Sequence, residues 1–364
     1  MIAVGSLKLR TPACAALAAM LAAMWLCAGG ALAATVPPAL MTYITDLDKP
    51  APQVWVSDIG GGSAMDLGPA SSALISPDGT DVAAITVLKG QSVKTSGQSV
   101  KTSTLSLYTT VGGAPVTIVY SQQVMQLLAW SPDSKQLLVA VGASPAQLRV
   151  IVAATDASHT IATGVIDGAG FAPGGSDQVV YAKAAVNTTR VNIYTASATG
   201  TNTRQLTHDG LSEYPLWGRN GIVYSHETPR TKNPYPALQL WFMGSAGSGA
   251  HQLTSTPVSA TLQGLTPIAF SANGKHLLAN FVGPEGSNHA EAYAVDLSGR
   301  KPAAPRDLTG QGNGYIGDAI SADGKTILLT KGTAEAPLSI ETVPWAGGTP
   351  ATVAVQGAYA SWDL

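Results

Sequence analysis

Ser76-Pro77-Asp78-Gly79 stands between Ala73-Leu74-Ile75 and Val82-Ala83-Ala84-Ile85, so a tight turn joins two short apolar strands. Pro77 pre-sets φ for the second turn position. Asp78 can bond the backbone just downstream, and Gly79 accepts a positive φ at little cost. One such hairpin is compatible with many folds. Repetition makes it decisive.

The motif returns five times. Ala129-Trp130-Ser131-Pro132-Asp133-Ser134-Lys135 leads into Gln136-Leu137-Leu138-Val139. Phe171-Ala172-Pro173-Gly174-Gly175 leads into Val179-Val180-Tyr181, and Tyr214-Pro215-Leu216-Trp217-Gly218-Arg219-Asn220-Gly221 into Ile222-Val223-Tyr224. Ala269-Phe270-Ser271-Ala272-Asn273-Gly274 leads into His276-Leu277-Leu278, and Ala319-Ile320-Ser321-Ala322-Asp323-Gly324 into Thr326-Ile327-Leu328-Leu329. A second motif alternates with the first: an apolar strand, a Gly-rich turn and a short strand, as in Val191 to Thr195, Gly200 and Gln205-Leu206-Thr207. It occurs seven times, from Gln53-Val54-Trp55-Val56 to Ile340 through Val343.

Six copies of one motif and seven of the other imply a unit split between the chain ends. Met41 to Ile44 and Val54 to Val56 begin inside a unit. Tyr359-Ala360-Ser361-Trp362-Asp363-Leu364 reads as the first strand of the missing copy. The expected fold is an all-β, seven-bladed β-propeller of four-stranded antiparallel blades, closed by that split blade, with six or eight blades as alternatives. Closure removes the exposed sheet edges that invite aggregation.

Residues 1–33 read as a signal peptide. Lys8 and Arg10 precede an apolar run from Ala13 to Ala28, and Ala31-Leu32-Ala33 supplies a cleavage site before Ala34. Both cysteines, Cys14 and Cys27, fall in this segment, so the mature chain has neither disulfides nor thiol ligands. Its 331 residues, 34–364, read as one domain of about 47 residues per unit. Losing Lys8 and Arg10 leaves 18 basic residues against 22 acidic, a charge of −4 that argues against nucleic-acid binding. No membrane span is expected after cleavage, which points to a periplasmic or secreted protein.

These repeats resemble the TolB-like, or PD40, propeller repeats of bacterial exported proteins. The likeness rests on Trp130-Ser131-Pro132-Asp133, on Gln205-Leu206-Thr207 before Tyr214-Pro215-Leu216-Trp217, and on Phe270 to Leu278. Such repeats serve in the Tol–Pal envelope protein, in sensors and in propellers that cover serine peptidase domains. The resemblance implies the fold, and it departs from the Tol–Pal protein, whose α/β domain precedes the propeller.

No catalytic constellation stands out. Gly-x-Ser-x-Gly is absent, and Gly312, Gly314 and Gly317 form a G-x-G-x-x-G without the helix that phosphate binding needs. The histidines His159, His208, His226, His251, His276 and His289 show no local metal spacing, so no metal and no cofactor are expected. Alternating strand direction places the Pro-Asp-Gly turns on one face and the longer loops on the other. On that second face the densest chemistry is Asp209, Glu213 and Tyr214, followed by His226, Glu227, Arg230, Lys232 and Tyr235. The duplicated Gly90 to Ser96 and Gly97 to Ser103 lies there too, as a solvated loop or a lengthened hairpin. The resulting expectation is a monomeric, exported, non-enzymatic propeller binding an envelope protein or peptide through Glu213, Tyr214, His226, Glu227, Arg230, Lys232 and Tyr235. The alternatives are a hydrolase or polysaccharide lyase with a central-channel site, or a periplasmic sensor.

Overall fold

The computed structural model describes residues 39–364 apart from 96–97, 144, 176, 186, 229–236, 256–263, 283–289, 298–303, 311–313, 334–335 and 363–364. The signal-peptide reading, His289, Gly312 and the candidates Arg230, Lys232 and Tyr235 therefore lie outside the described residues. Among those described, every regular element is a strand, and no helix is long and apolar enough to cross a membrane.

The first sheet contains β1 (Leu40–Thr45), β2 (Gln53–Asp58) and β3 (Met65–Pro69). The second contains β4 (Ser72–Ile75), β5 (Asp81–Thr95), β6 (Gln98–Thr109) and β7 (Val116–Ser121). Next come β8 (Met125–Trp130), β9 (Gln136–Val141), β10 (Ala146–Val152) and β11 (Ser158–Phe171), then β12 (Gln178–Ala184), β13 (Val191–Ser197) and β14 (Arg204–Gln205). Strand β11 serves two blades: Ser158 to Gly164 pairs with β10, and Val165 to Phe171 pairs with β12. The fifth blade is β15 (Ser212–Gly218), β16 (Gly221–Thr228), β17 (Ala237–Met243) and β18 (His251–Gln252). The sixth is β19 (Gly264–Phe270), β20 (His276–Val282), β21 (Ala290–Asp296) and β22 (Arg306–Asp307). The seventh is β23 (Tyr315–Ile320), β24 (Thr326–Thr333), β25 (Ala336–Pro344) and β26 (Ala351–Val355). Finally β27 (Gly357–Trp362) returns to the first sheet, pairing Met41 with Trp362 and Thr45 with Gly357. With β11 divided, the described strands form seven four-stranded antiparallel sets.

The innermost strands touch in the order β27, β4, β8, β11, β15, β19, β23 and back to β27. Apolar clusters fill each gap between consecutive blades. One joins Ile44 and Val54 to Ile75, Val82 and Tyr108, and another closes the ring by joining Leu328 and Ile340 to Met41, Tyr43, Ala360 and Trp362. Second strands are covered on both faces, which is why Leu137 to Val141 of β9 and Ile222 to Tyr224 of β16 read as apolar runs rather than alternating ones.

The turn aspartates are braces. Ser76 Oγ donates to Asp78 Oδ1 at 2.6 Å and accepts from the Asp81 amide at 3.0 Å. Ser131 with Asp133, Ser271 with Asn273 and Ser321 with Asp323 repeat this arrangement. The Leu-Thr ends also have a structural use. Thr207 Oγ1 accepts from the Ile193 amide and Thr254 Oγ1 from the Leu240 amide, continuing the ladder where β14 and β18 stop after two residues. The duplicated segment takes the hairpin form, with Val93 opposite Val100 and Thr95 opposite Gln98.

Candidate functional site

Six of the seven innermost strands carry a register shift against their neighbour; β4 alone pairs without one. A bulge leaves residues unpaired and re-aims their side chains. On β15 the shift falls between Glu213 and Leu216, and Tyr214 takes φ 50°. On β11 it falls between Ile166 and Ala169, around Asp167-Gly168. The two bulges abut: a Cβ on Gly168, whose φ is 92°, would lie 3.2 Å from the Tyr214 Cα. Glycine is required there by both backbone angle and contact.

This abutment brings acids from neighbouring blades together. Burial pushes the Glu213 carboxyl up to about 7, and the charges of Glu227 and Asp167 add to the effect. Burial also raises Asp167. Burial raises Glu227 as well, with His226 pulling the other way. The Tyr214 hydroxyl is driven up to about 12 by burial, then by Glu213 and Asp167. None of the three carboxylates makes a hydrogen bond or ion pair among the described residues. Glu227 contributes only its backbone, donating its amide to the Leu211 carbonyl at 2.9 Å. Glu213 lies near the start of β15 and Glu227 near the end of β16, so both stand at the long-loop end of the blade. Among the described residues no three His, Cys, Asp or Glu side chains are grouped closely enough to hold a metal ion.

His226 has a different setting. Its Nε2 lies 2.9 Å from Asp209 Oδ2, and its ring packs 4.6 Å from Trp241 and edge-on to Tyr224 at 6.4 Å. Asp209 Oδ1 also accepts from the Leu211 amide and from Ser212 Oγ. Burial opposes ionisation of Asp209, but these donors together hold its carboxyl below its ordinary value. The group ties the entering loop to β16. Of the candidates read from sequence, Glu213 thus interacts with both Tyr214 and Glu227, while His226 is engaged within its blade.

Sequence reasoning missed two acids on the innermost strands, Asp167 and Asp318. Asp167 was hidden because β11 runs from one blade into the next without a turn. The available signal was Asp-Gly inside an apolar strand, a bulge signature. Asp318 sits at the bulge of β23, between Gly317 and Ala319. It accepts from Thr330 Oγ1 at 2.6 Å and from the Ala360 amide, and burial still pushes it up to about 7.

No family model matches the chain, and no curated protein matches it. Solved structures do. The β-propeller domain of the Trilobed protease from Pyrococcus furiosus, described as having an open velcro topology, superposes with a TM-score of 0.62 at 12% identity, covering 86% of this chain and 92% of that one. Oligogalacturonate lyase from Vibrio parahaemolyticus gives 0.53 at 9% identity, over 87% and 84% of the two chains. TolB from Acinetobacter baumannii gives 0.48 at 14% identity, over 90% and 83%. At such identities the first two likenesses establish architecture alone, and they agree with the strand pairing: the chain is an all-β propeller.

Proposed function

We propose that this chain is an exported, monomeric, non-enzymatic propeller that captures a protein or peptide partner in the cell envelope through its long-loop end. The observation that carries the reading is the set of half-buried carboxylates Asp167, Glu213 and Glu227, supplied by two blades and without hydrogen-bond or ion-pair partners among the described residues. Carboxylates kept partly from water and unpaired favour an incoming cation. Because they are not grouped tightly enough to chelate an ion, the fitting group is a lysine, arginine or α-amino group of a larger partner. Arg230, Lys232 and Tyr235 belong to the loop that would complete the contact.

The Ser–His–Asp arrangement of acyl transfer also fails to match. Here Asp209 lies between Ser212 and His226, so among the described residues the imidazole holds no hydroxyl to activate, and Ser212 is fully buried. A second reading starts from Glu213, since a carboxyl held near 7 beside other carboxylates is suited to general-acid work on a glycosidic bond. One pair of variants separates the two. Glu213→Gln with Glu227→Gln should abolish cross-linking of a partner in the native envelope and leave oligosaccharides untouched by either form. Unchanged capture would overturn the binding site, and turnover lost with Glu213→Gln would establish the enzyme.

A further inference from the structure

At the opposite end of the same blade the turn motif has decayed, and a cavity takes its place. Where the second, sixth and seventh blades place Ser-x-Asp-Gly or Ser-x-Asn-Gly, the fifth has only Arg219-Asn220 between the paired Gly218 and Gly221. Those glycines let two aromatic rings approach the backbone. A Cβ on Gly218 would lie 2.6 Å from the Phe270 ring, and one on Gly221 would lie 2.6 Å from the Phe242 ring. Between this hairpin and the sixth blade's turn at Gly274 lies a cavity of about 130 Å³. Phe242, Phe270, Leu253 and Leu297 supply its apolar lining, and Arg219 and His251 its polar groups. The volume is near the ~150 Å³ that accommodates benzene in an apolar cavity.

The polar groups are uncommitted in a telling way. The Arg219 guanidinium and the Asn220 amide are both exposed and make no hydrogen bond or ion pair among the described residues. His251 Nδ1 donates to the Gly249 carbonyl at 2.8 Å, and Nε2 makes no hydrogen bond among the described residues. A planar cation beside an aromatic cavity is complementary to a carboxylate carried on a ring or branched aliphatic chain, because the guanidinium binds the carboxylate with two parallel hydrogen bonds. We propose that this cleft between the fifth and sixth blades binds an apolar carboxylate, with the ring or aliphatic group among Phe242, Phe270 and Leu253 and the carboxylate on Arg219. The site lies at the turn end of the ring and is independent of Asp167, Glu213 and Glu227.

The test is a titration of the mature chain with 3-phenylpropionate, followed by NMR of the Leu253 and Leu297 methyl groups. Binding in the ~0.1–1 mM range suits a fragment of this size. Arg219→Gln, an exposed substitution that leaves the lining intact, should weaken it about tenfold, and 3-phenylpropanol should show the same deficit against the native chain. Glu213→Gln should bind normally. Methyl signals unmoved up to ~10 mM, or equal affinity for the acid and the alcohol, would overturn the proposal. A short peptide ending in phenylalanine and its C-terminal amide identify the source. Tighter binding of the free-acid peptide than of 3-phenylpropionate marks a peptide C-terminus, and exclusion of both peptides alongside binding of 3-phenylpropionate marks a free small acid.

Discussion

Glu213 shows how one side chain couples stability to function. Its carboxyl rises from 4.5 to about 7 because folding removes it from water and sets it beside Glu227 and Asp167. The folded state therefore holds a proton that the unfolded state releases. Stability contributed by that proton is complete below about pH 4.5 and is lost as pH rises to about 7. At full value the shift corresponds to ~3 kcal/mol, and solvent screening at the mouth reduces it to ~1–2 kcal/mol. Glu213→Gln should thus raise stability by ~1–2 kcal/mol at pH 8 and leave it unchanged at pH 4, as measured by denaturant unfolding. Capture should move the other way. Acidification from pH 8 to pH 5.5 neutralises Glu213 and should weaken binding of a cationic partner, and added salt should weaken it further. A native chain whose stability is flat over this interval would remove Glu213 from the cluster.

At the scale of the element, the turns were legible and the bulges were not. Ser131-Pro132-Asp133 declares itself because every bond it needs is local. The hydroxyl of Ser131 donates to Asp133 and accepts from the amides of Lys135 and Gln136, all within five residues. Ser131 is fully buried, and Ser131→Ala leaves the Gln136 amide short of an acceptor, while the Lys135 amide keeps Asp133 Oδ1; it should cost ~1–2 kcal/mol, with faster hydrogen exchange at Gln136. An unchanged exchange rate there would deny the brace. Asp167 and Asp318 depend instead on where a register shift falls between two strands, which is set by packing against the next blade. Alternation along the strand therefore gave no warning of either acid. The setting of His226 was not legible for a related reason. Its neighbour Trp241 is recruited by pairing between β16 and β17, and loop composition carries no trace of that contact. The cavity beside the short turn at Arg219-Asn220 likewise depends on Phe242 and Phe270, which come from strands distant in sequence.

For the whole molecule, the count of motifs anticipated closure, and the closing strand is tied on both sides. Besides pairing with β1, β27 offers Ser361 Oγ to the Ile75 amide at 3.0 Å, and its Tyr359 amide donates to Thr330 Oγ1 at 3.0 Å. Asp318 accepts from the Ala360 amide of the same strand. One six-residue strand thus joins the first, second and seventh blades. Deleting Gly357 to Leu364 would remove the buried Ala358, Ala360 and Trp362, uncover Met41 and Tyr43, and expose the edge of β1. Loss of a tryptophan-sized part of a core costs ~3–5 kcal/mol, and the severed hydrogen bonds add to it. The truncated chain should melt ~10 °C or more below the intact one by calorimetry, and it should self-associate through the open edge in size-exclusion chromatography. Ser361→Ala, which severs only the bond to the Ile75 amide, should lower stability by ~1 kcal/mol and remain monomeric. Coincident melting of the truncated and intact chains would mean that the ring is held by the interblade clusters that do not involve β27.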